Sequence, residues 1–144
     1  MKRSLDIELQ KIVRGINDQA GLNEYIKHSH KYKYYSSFLD YFSSLGKVVS
    51  INVATLYKES GIERSYCYHL MNGMKIPGRD KIIQLCITAG LNLNETQIAL
   101  EAGKVPLLSA TDNRDIVIAY AVEKSFNVQN TNTLLASLNQ SILE

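Results

Sequence analysis

The sequence predicts an all-α protein, and two patterns lead to this fold class. Apolar residues recur at helical spacing along almost all of the 144 residues, and no segment shows a clear strand alternation. The two prolines, Pro77 and Pro106, each follow such a segment, as expected where a helix ends. Because 45% of the residues are apolar, the chain can bury a core without disulfides or metal. We expect one compact globule overall.

Residues 1–34 are expected to form an N-terminal helical segment with a basic connector. The first helix has one apolar face: Leu5, Leu9, Ile12, Val13 and Ile16. It should end near Gly21, and a second short helix should cover 22–27. The following basic and aromatic run is either a solvated connector or an arm that contacts phosphates. His28 and His30 alone cannot form a metal site, since a tetrahedral site needs three or four ligands.

Residues 35–108 are expected to form the main domain. Its first helix supplies bulk to the core and should be closed by Gly46: Phe38, Leu39, Tyr41, Phe42 and Leu45. Asn52 is a good N-cap for the next helix, which runs to Ser60. A helix that turns sharply into another needs a left-handed residue at its end, and glycine takes that conformation without steric cost. Gly61 therefore marks a tight turn.

The helix after this turn, over 63–72, has a buried and an open side. The buried side is formed by Ile62, Cys67 and Leu70. The open side carries Arg64, Ser65, Tyr68 and His69. Gly73 closes the helix, and basic residues follow at Lys75, Arg79 and Lys81. Hydrogen-bonding and positively charged groups therefore collect at one surface.

A family pattern appears at these positions: Leu56, Ser60-Gly61-Ile62, Arg64-Ser65-Tyr66, Leu70, Asn72-Gly73, Lys75 and Pro77. It resembles the helix-turn-helix of the XRE, Cro and lambda-repressor-like family. The resemblance implies a lambda-repressor-like bundle whose second helix lies in the DNA major groove. It places Arg64, Ser65, Tyr68 and His69 toward bases. It places Asn52, Lys75 and Arg79 toward phosphates, where cations give salt-dependent affinity.

Within this family, the sequence resembles more specifically a group of small bacterial regulators. The matching motifs are Arg64-Ser65-Tyr66, Pro77-Gly78-Arg79-Asp80-Lys81 and Glu95-Thr96. The chain departs from the family at Val53, where a Gln is usual, at Tyr57, where a small residue is usual, and at Ser60, where an apolar one is usual. Tyr57 is expected to widen the packing between the two helices. These departures keep open a second reading, in which the same scaffold packs on a protein partner without reading a DNA sequence.

The last stretch, residues 109–144, looks like a second copy of the helical pair before it. With an offset of 35 positions, seven residues of 79–108 recur in 114–143. They are Arg79, Asp80, Ile83, Asn92, Thr96, Leu100 and Leu108, matched by Arg114, Asp115, Ile118, Asn127, Thr131, Leu135 and Leu143. We expect two units stacked side by side, Asn and Thr capping the second helix of each. The apolar terminal helix either completes its own core or meets a twin subunit.

Charge and the missing motifs complete the functional prediction. Residues 1–81 hold thirteen Lys/Arg against eight Asp/Glu, a net +5, and residues 82–144 hold three against six, a net −3. This asymmetry favours a polyanion-facing part and a part with another role.

The pair Cys67 and Cys86 forms no disulfide framework or zinc module. No membrane span or signal peptide is apparent in the sequence. We therefore expect a cytoplasmic location.

The sequence carries no phosphate loop, dinucleotide glycine pattern, metal cluster or nucleophile signature. We therefore expect neither an enzyme nor a cofactor. The predicted function is a bacterial or phage transcription regulator, a repressor that binds an inverted repeat in double-stranded DNA as a homodimer. The alternative is an interaction module that binds a protein partner through its C-terminal repeat.

Overall fold

The computed structural model describes residues 4–28 and 35–144 and contains helices and no strand within those ranges. The predicted all-α class is confirmed. The chain divides into two compact units, 1–34 and 35–144. The helices are α1 (Ser4–Arg14), α2 (Gln19–His28), α3 (Phe38–Ser44), α4 (Gly46–Val49), α5 (Val53–Ser60), α6 (Arg64–Met71), α7 (Arg79–Thr88), α8 (Leu93–Ala102), α9 (Asn113–Glu123) and α10 (Val128–Ser137).

In the first unit, the expected long first helix is wrong. The helix α1 ends at Arg14, and Gly21 lies inside α2 rather than at a helix end. The break arises because Asp18 starts a new helix: its Oδ1 accepts the Gly21 amide over 2.7 Å. The central part of the basic and aromatic run, residues 29–34 with His30, lies outside the described residues.

The second unit begins with α3, which buries Phe38, Tyr41 and Phe42 as expected. Gly46 does not close the helical stretch, since it is the first residue of α4. The break falls one residue earlier, at Leu45, whose extended backbone (φ −81°, ψ 131°) interrupts the helix. This four-residue helix was not predicted, because it is too short to show a period of its own.

The helices α5 and α6 are joined by the predicted tight turn. Asn52 Oδ1 accepts the Thr55 amide over 2.8 Å at the start of α5. Gly61 has a left-handed backbone with φ 79°, and Ile62 is buried directly after it. Ser60 is fully buried but satisfied: its Oγ accepts the Ile62 amide over 3.1 Å, and its carbonyl accepts Gln84 Nε2 over 3.0 Å. These two hydrogen bonds allow the polar Ser60 to be buried, and they stabilise the turn between α5 and α6.

The core of the second unit is centred on α7, which contacts α5, α8 and α10. Six consecutive residues of α7 are buried: Ile82, Ile83, Gln84, Leu85, Cys86 and Ile87. A helix apolar on all sides is expected at the centre of a core. Cys86 and Cys67 are both buried free thiols, and burial raises the pKa of the Cys67 thiol.

The predicted C-terminal repeat recurs in the hydrogen bonds. The side-chain amide of Gln97 donates to the carbonyl of Leu108 and accepts its backbone N–H. The side-chain amide of Asn132 does the same with Leu143, which also lies eleven positions later. Two pairs of residues with left-handed backbone occupy matching positions: Gly90 with Ser125, at φ 73° and 59°, and Lys104 with Asn139, at φ 57° and 59°. The two helical pairs therefore share one backbone design.

The repeats pair reciprocally rather than by simple stacking. Arg79 Nη2 donates to Asp115 Oδ2 over 2.8 Å, and Arg114 Nη2 donates to Asp80 Oδ2 over 2.8 Å. The packing is reciprocal too, since α7 contacts α10 and α8 contacts α9. In a side-by-side stack, Arg114 would face forward to a third unit instead of back to the first. A two-fold relation between the two helical pairs accounts for both bonds.

Candidate functional site

The open side of α6 carries the residues predicted to face bases. Arg64, Ser65 and Tyr68 are exposed, and His69 is partly exposed. The opposite side is buried through Ile62, Cys67 and Leu70, as predicted. Helical spacing produces this division, since residues three or four positions apart share one face. Three hydrogen-bonding side chains and an arginine thus lie along the exposed face of a single short helix.

Arg64 lies beside a pair of aromatic rings. Its guanidinium carbon lies 5.9 Å from the ring centre of Tyr57 and 5.9 Å from that of Tyr68. The two tyrosine rings are 6.1 Å apart and tilted by 42°. Such contacts favour a fixed arginine because the ring faces attract the cation. Tyr57 therefore belongs to the surface group, whereas the sequence suggested only that it widens the packing between α5 and α6.

The start of α6 is capped by a carboxylate that sequence reasoning did not single out. Glu63 accepts the Ser65 amide over 3.0 Å and the Tyr66 amide over 2.9 Å. These two backbone N–H groups lower the pKa of Glu63 below its ordinary value. The signal was present in the sequence, as an acidic residue directly before the helix. A helix predicted over 63–72 includes Glu63 as its first residue, and this assignment hides the role of its side chain as a cap.

Asn52 precedes α5, and Lys75 follows α6. Both are exposed. The Asn52 carbonyl oxygen is used in the cap of α5, so its amide nitrogen is the donor available to a ligand. Lys75 lies in the loop after α6 between two exposed apolar residues, Met74 and Ile76, and Ile76 is 87% exposed. The loop thus presents one cation together with apolar surface.

Arg79 does not join this group. Its Nε donates to the Pro106 carbonyl over 2.8 Å, and its Nη2 donates to the Leu107 carbonyl over 3.1 Å and to Asp115. The Asp115 side chain is only 7% exposed, so the arginine neutralises a buried carboxylate. The expected phosphate contact by Arg79 is therefore corrected to a contact between the repeats.

The α6 surface presents a guanidinium, hydroxyl groups and an imidazole. These groups can donate and accept hydrogen bonds to a ligand. Among the described residues, no group of three or more His, Cys, Asp or Glu could hold a metal ion. Within the same ranges, no helix has the length and apolar character needed to cross a bilayer.

No protein-family model, curated protein or solved structure matches the chain.

Proposed function

We propose that the protein is a sequence-specific DNA-binding regulator that reads double-stranded DNA with the exposed face of α6. The observation that carries the proposal is the arginine fixed at the start of that helix, where Arg64 lies 5.9 Å from the ring centres of both Tyr57 and Tyr68. A preorganised guanidinium loses little freedom when it forms two hydrogen bonds to guanine in the major groove.

In this proposal, α5 and α6 act as a lambda-repressor-like helix-turn-helix. The left-handed Gly61 and the buried Ile62 support this assignment, since they direct α6 away from α5 while keeping its inner side in the core. Arg64, Ser65, Tyr68 and His69 then face base edges. Lys75 and the Asn52 amide contact phosphates on either side and set the orientation of the helix.

A comparison of two alanine variants on the preferred duplex and on unrelated duplexes tests the roles of these residues. Arg64→Ala should cost about 1–3 kcal/mol on the preferred site and relax its selectivity, because a base-specific bidentate contact is lost. Lys75→Ala should weaken all sequences alike and flatten the dependence of affinity on salt, because only a phosphate contact is lost. Binding is measured by fluorescence anisotropy at two or more salt concentrations.

Lys11→Ala is the matched control, since it removes an exposed lysine from α1 rather than from the loop after α6. It should leave both affinity and salt dependence near the parent values. The assignment of α6 to the groove is wrong if Arg64→Ala and Lys75→Ala both bind as tightly as the parent protein.

A second candidate function is supported by the loop after α6. Its Met74 and Ile76 are 69% and 87% exposed, and together they give the loop an apolar surface that a protein partner can cover. In this alternative the protein is an interaction module, and the α5–α6 surface and the C-terminal repeat bind a protein partner. A salt-labile affinity for every DNA sequence, with no preferred motif, favours this function over the first.

A further inference from the structure

A cleft with a volume of about 220 Å³ lies beside the loop that follows α6. Its walls come from three segments of the second unit: residues 36–39 at the start of α3, residues between 73 and 77 after α6, and residues 102–104 at the end of α8. The packing of α3 on α8 brings the first and third segments together. The cleft is therefore a product of the fold of one compact unit.

The floor of the cleft is apolar and closely packed. Phe38 is only 3% exposed, and its ring stacks on Phe42 at a centroid distance of 4.9 Å. Pro77 and Ala102, which also line the cleft, are buried as well. A floor of this kind offers an apolar ligand body a preformed surface on which to leave water.

The loop wall is held by hydrogen bonds of its own. Gly73 turns the chain with a left-handed backbone at φ 83°. Beyond it, the Lys75 amide donates to the His69 carbonyl over 3.1 Å, and Asn72 Oδ1 accepts the Met74 amide over 3.0 Å. These bonds fix the backbone from which the Lys75 side chain starts, so little order has to be gained when a ligand binds.

Two lysines, Lys75 and Lys104, line the cleft from different segments, and both are exposed. None of the described residues that line the cleft is acidic. Among the part of the chain that the structure describes, neither ammonium group forms an ion pair. The flexible stem of a lysine lets its ammonium turn toward an anion in the cleft. An apolar floor is thus combined with two positive charges that have no counter-charge.

Lys104 occupies a backbone position that does not favour a lysine. It directly follows the helix-ending residue Gly103 and has a left-handed backbone at φ 57°. Glycine and asparagine take this conformation at lower cost, and the second repeat has Asn139 there, at φ 59°. The turn itself therefore does not require a lysine. Strained residues of this kind are common at ligand sites.

We propose that this cleft binds a small organic monocarboxylate. Its aliphatic or aromatic body rests on Phe38, Pro77 and Ala102, and its carboxylate accepts hydrogen bonds from Lys75 and Lys104. The ligand is small, because the cleft lies below the roughly 300–1,000 Å³ of sites for drug-sized molecules. A carboxylate on an apolar body matches both the charge and the floor, whereas a fully polar anion leaves the floor uncovered.

The same site gives the protein a means of regulation, and this step rests on the proposed function. There, Lys75 contacts a DNA phosphate. An acid bound in the cleft neutralises Lys75 and removes that contact, so it should weaken binding to every duplex, as Lys75→Ala does. Because coupling between two binding sites is reciprocal, DNA should weaken binding of the acid by the same factor.

Isothermal titration calorimetry tests the ligand class, with phenylacetate and hexanoate as probes. At least one acid should bind with a Kd below ~1 mM, and its amide, phenylacetamide or hexanamide, at least ~10-fold more weakly. Inorganic phosphate should also bind at least ~10-fold more weakly, because it covers no apolar surface. The proposal is wrong if neither acid binds at ~10 mM, or if the amide or phosphate binds as tightly as the acid.

Two double variants test where the acid binds. Lys75→Gln with Lys104→Gln should weaken acid binding by at least ~10-fold, because both ammonium groups of the cleft are lost. The control, Lys58→Gln with Lys124→Gln, removes two exposed lysines that do not line the cleft and should bind the acid like the parent protein. In NMR spectra of the parent protein, the acid should shift the amide signals of Gly73, Lys75 and Lys104 most. Acid binding that survives in the cleft variant overturns the proposal.

Fluorescence anisotropy with and without saturating acid separates failure of this proposal from failure of the proposed function. If the acid binds in the cleft but the protein selects no DNA motif, the cleft site stands and the proposed function is wrong. If a motif is selected and no acid binds, the cleft site is wrong and the reading of DNA by α6 stands. An acid that occupies the cleft and leaves the affinity for DNA unchanged overturns the regulatory role.

Discussion

Tyr57 gives Arg64 a defined position on the surface of the α5–α6 pair. The guanidinium carbon is 5.9 Å from the Tyr57 ring centre, and Tyr68 lies at the same distance on the neighbouring turn. Each such contact at an exposed site stabilises one arrangement by about 0.5–1 kcal/mol. Tyr57 therefore restricts the positions that the guanidinium of Arg64 can take.

Removal of the Tyr57 ring should weaken specific binding through Arg64. We expect Tyr57→Ala to lower affinity for the preferred duplex by about 2- to 5-fold, the equivalent of one exposed cation–π contact. Affinity for unrelated duplexes should change little, because phosphate contacts are untouched. Fluorescence anisotropy with both duplexes measures the two effects.

Tyr57→Phe is the matched control, since it keeps the ring and removes only the hydroxyl. It should bind like the parent protein. In the Arg64→Ala background, Tyr57→Ala should have no further effect, because the positioned group is gone. A loss of equal size in both backgrounds would show that Tyr57 acts on its own and not by positioning Arg64.

Residue roles were predictable where they depend on local spacing. The burial of Ile62, Cys67 and Leu70 follows from helical periodicity, and the structure confirms it. The role of Arg79 was not predictable, because its carboxylate partner Asp115 lies 36 positions later and is brought close only by the tertiary fold. Without knowledge of Asp115, the sequence places Arg79 only as a basic residue near an exposed helix, and this position predicts a phosphate contact.

The cap formed by Glu63 fixes where α6 begins. Its carboxylate accepts two backbone amides at the positive end of the helix, and these bonds lower its pKa. A group with a lowered folded-state pKa stabilises the fold fully above its unfolded pKa. The contribution is lost as the pH falls through the lowered value.

Glu63→Gln should lower the thermal midpoint at neutral pH, because a neutral amide caps α6 less strongly than a carboxylate. The difference between parent and variant should shrink as the pH falls through the lowered pKa of Glu63, where the parent carboxylate is also neutral. Circular dichroism melting curves across the acidic range measure it.

Glu59→Gln provides the comparison, since Glu59 is an exposed acidic residue within α5. It should leave the pH dependence of the thermal midpoint as in the parent. A difference between parent and Glu63→Gln that stays constant from neutral to acidic pH would contradict the role of the charged cap.

At the scale of elements, helices with a clear period and a strong end signal were predictable, and the others were not. Asn52 and Gly61 located α5 because capping and left-handed backbone depend on residue type. The end of α1 and the start of α4 depend instead on Asp18 and Leu45, whose local hydrogen bond and backbone conformation interrupt a continuous apolar pattern. An unbroken periodicity therefore does not guarantee an unbroken helix.

For the second unit as a whole, the reciprocal pairing of Arg79 with Asp115 and of Arg114 with Asp80 joins its two C-terminal helical pairs. The internal repeat was visible in the sequence at an offset of 35, since equivalent positions keep equivalent residue types. Its two-fold arrangement was not, because the same repeat is compatible with side-by-side stacking. This arrangement decides which apolar residues of the repeats are exposed, so the sequence alone does not predict them.

Selection of genomic fragments by the protein at physiological salt measures whether this chain recognises a particular DNA sequence. The proposed function predicts enrichment of one inverted-repeat motif, since a two-fold dimer places two copies of α6 in successive major grooves. Fragments recovered without a shared motif, and released by a modest increase in salt, would show that only phosphates are bound and would contradict the claim.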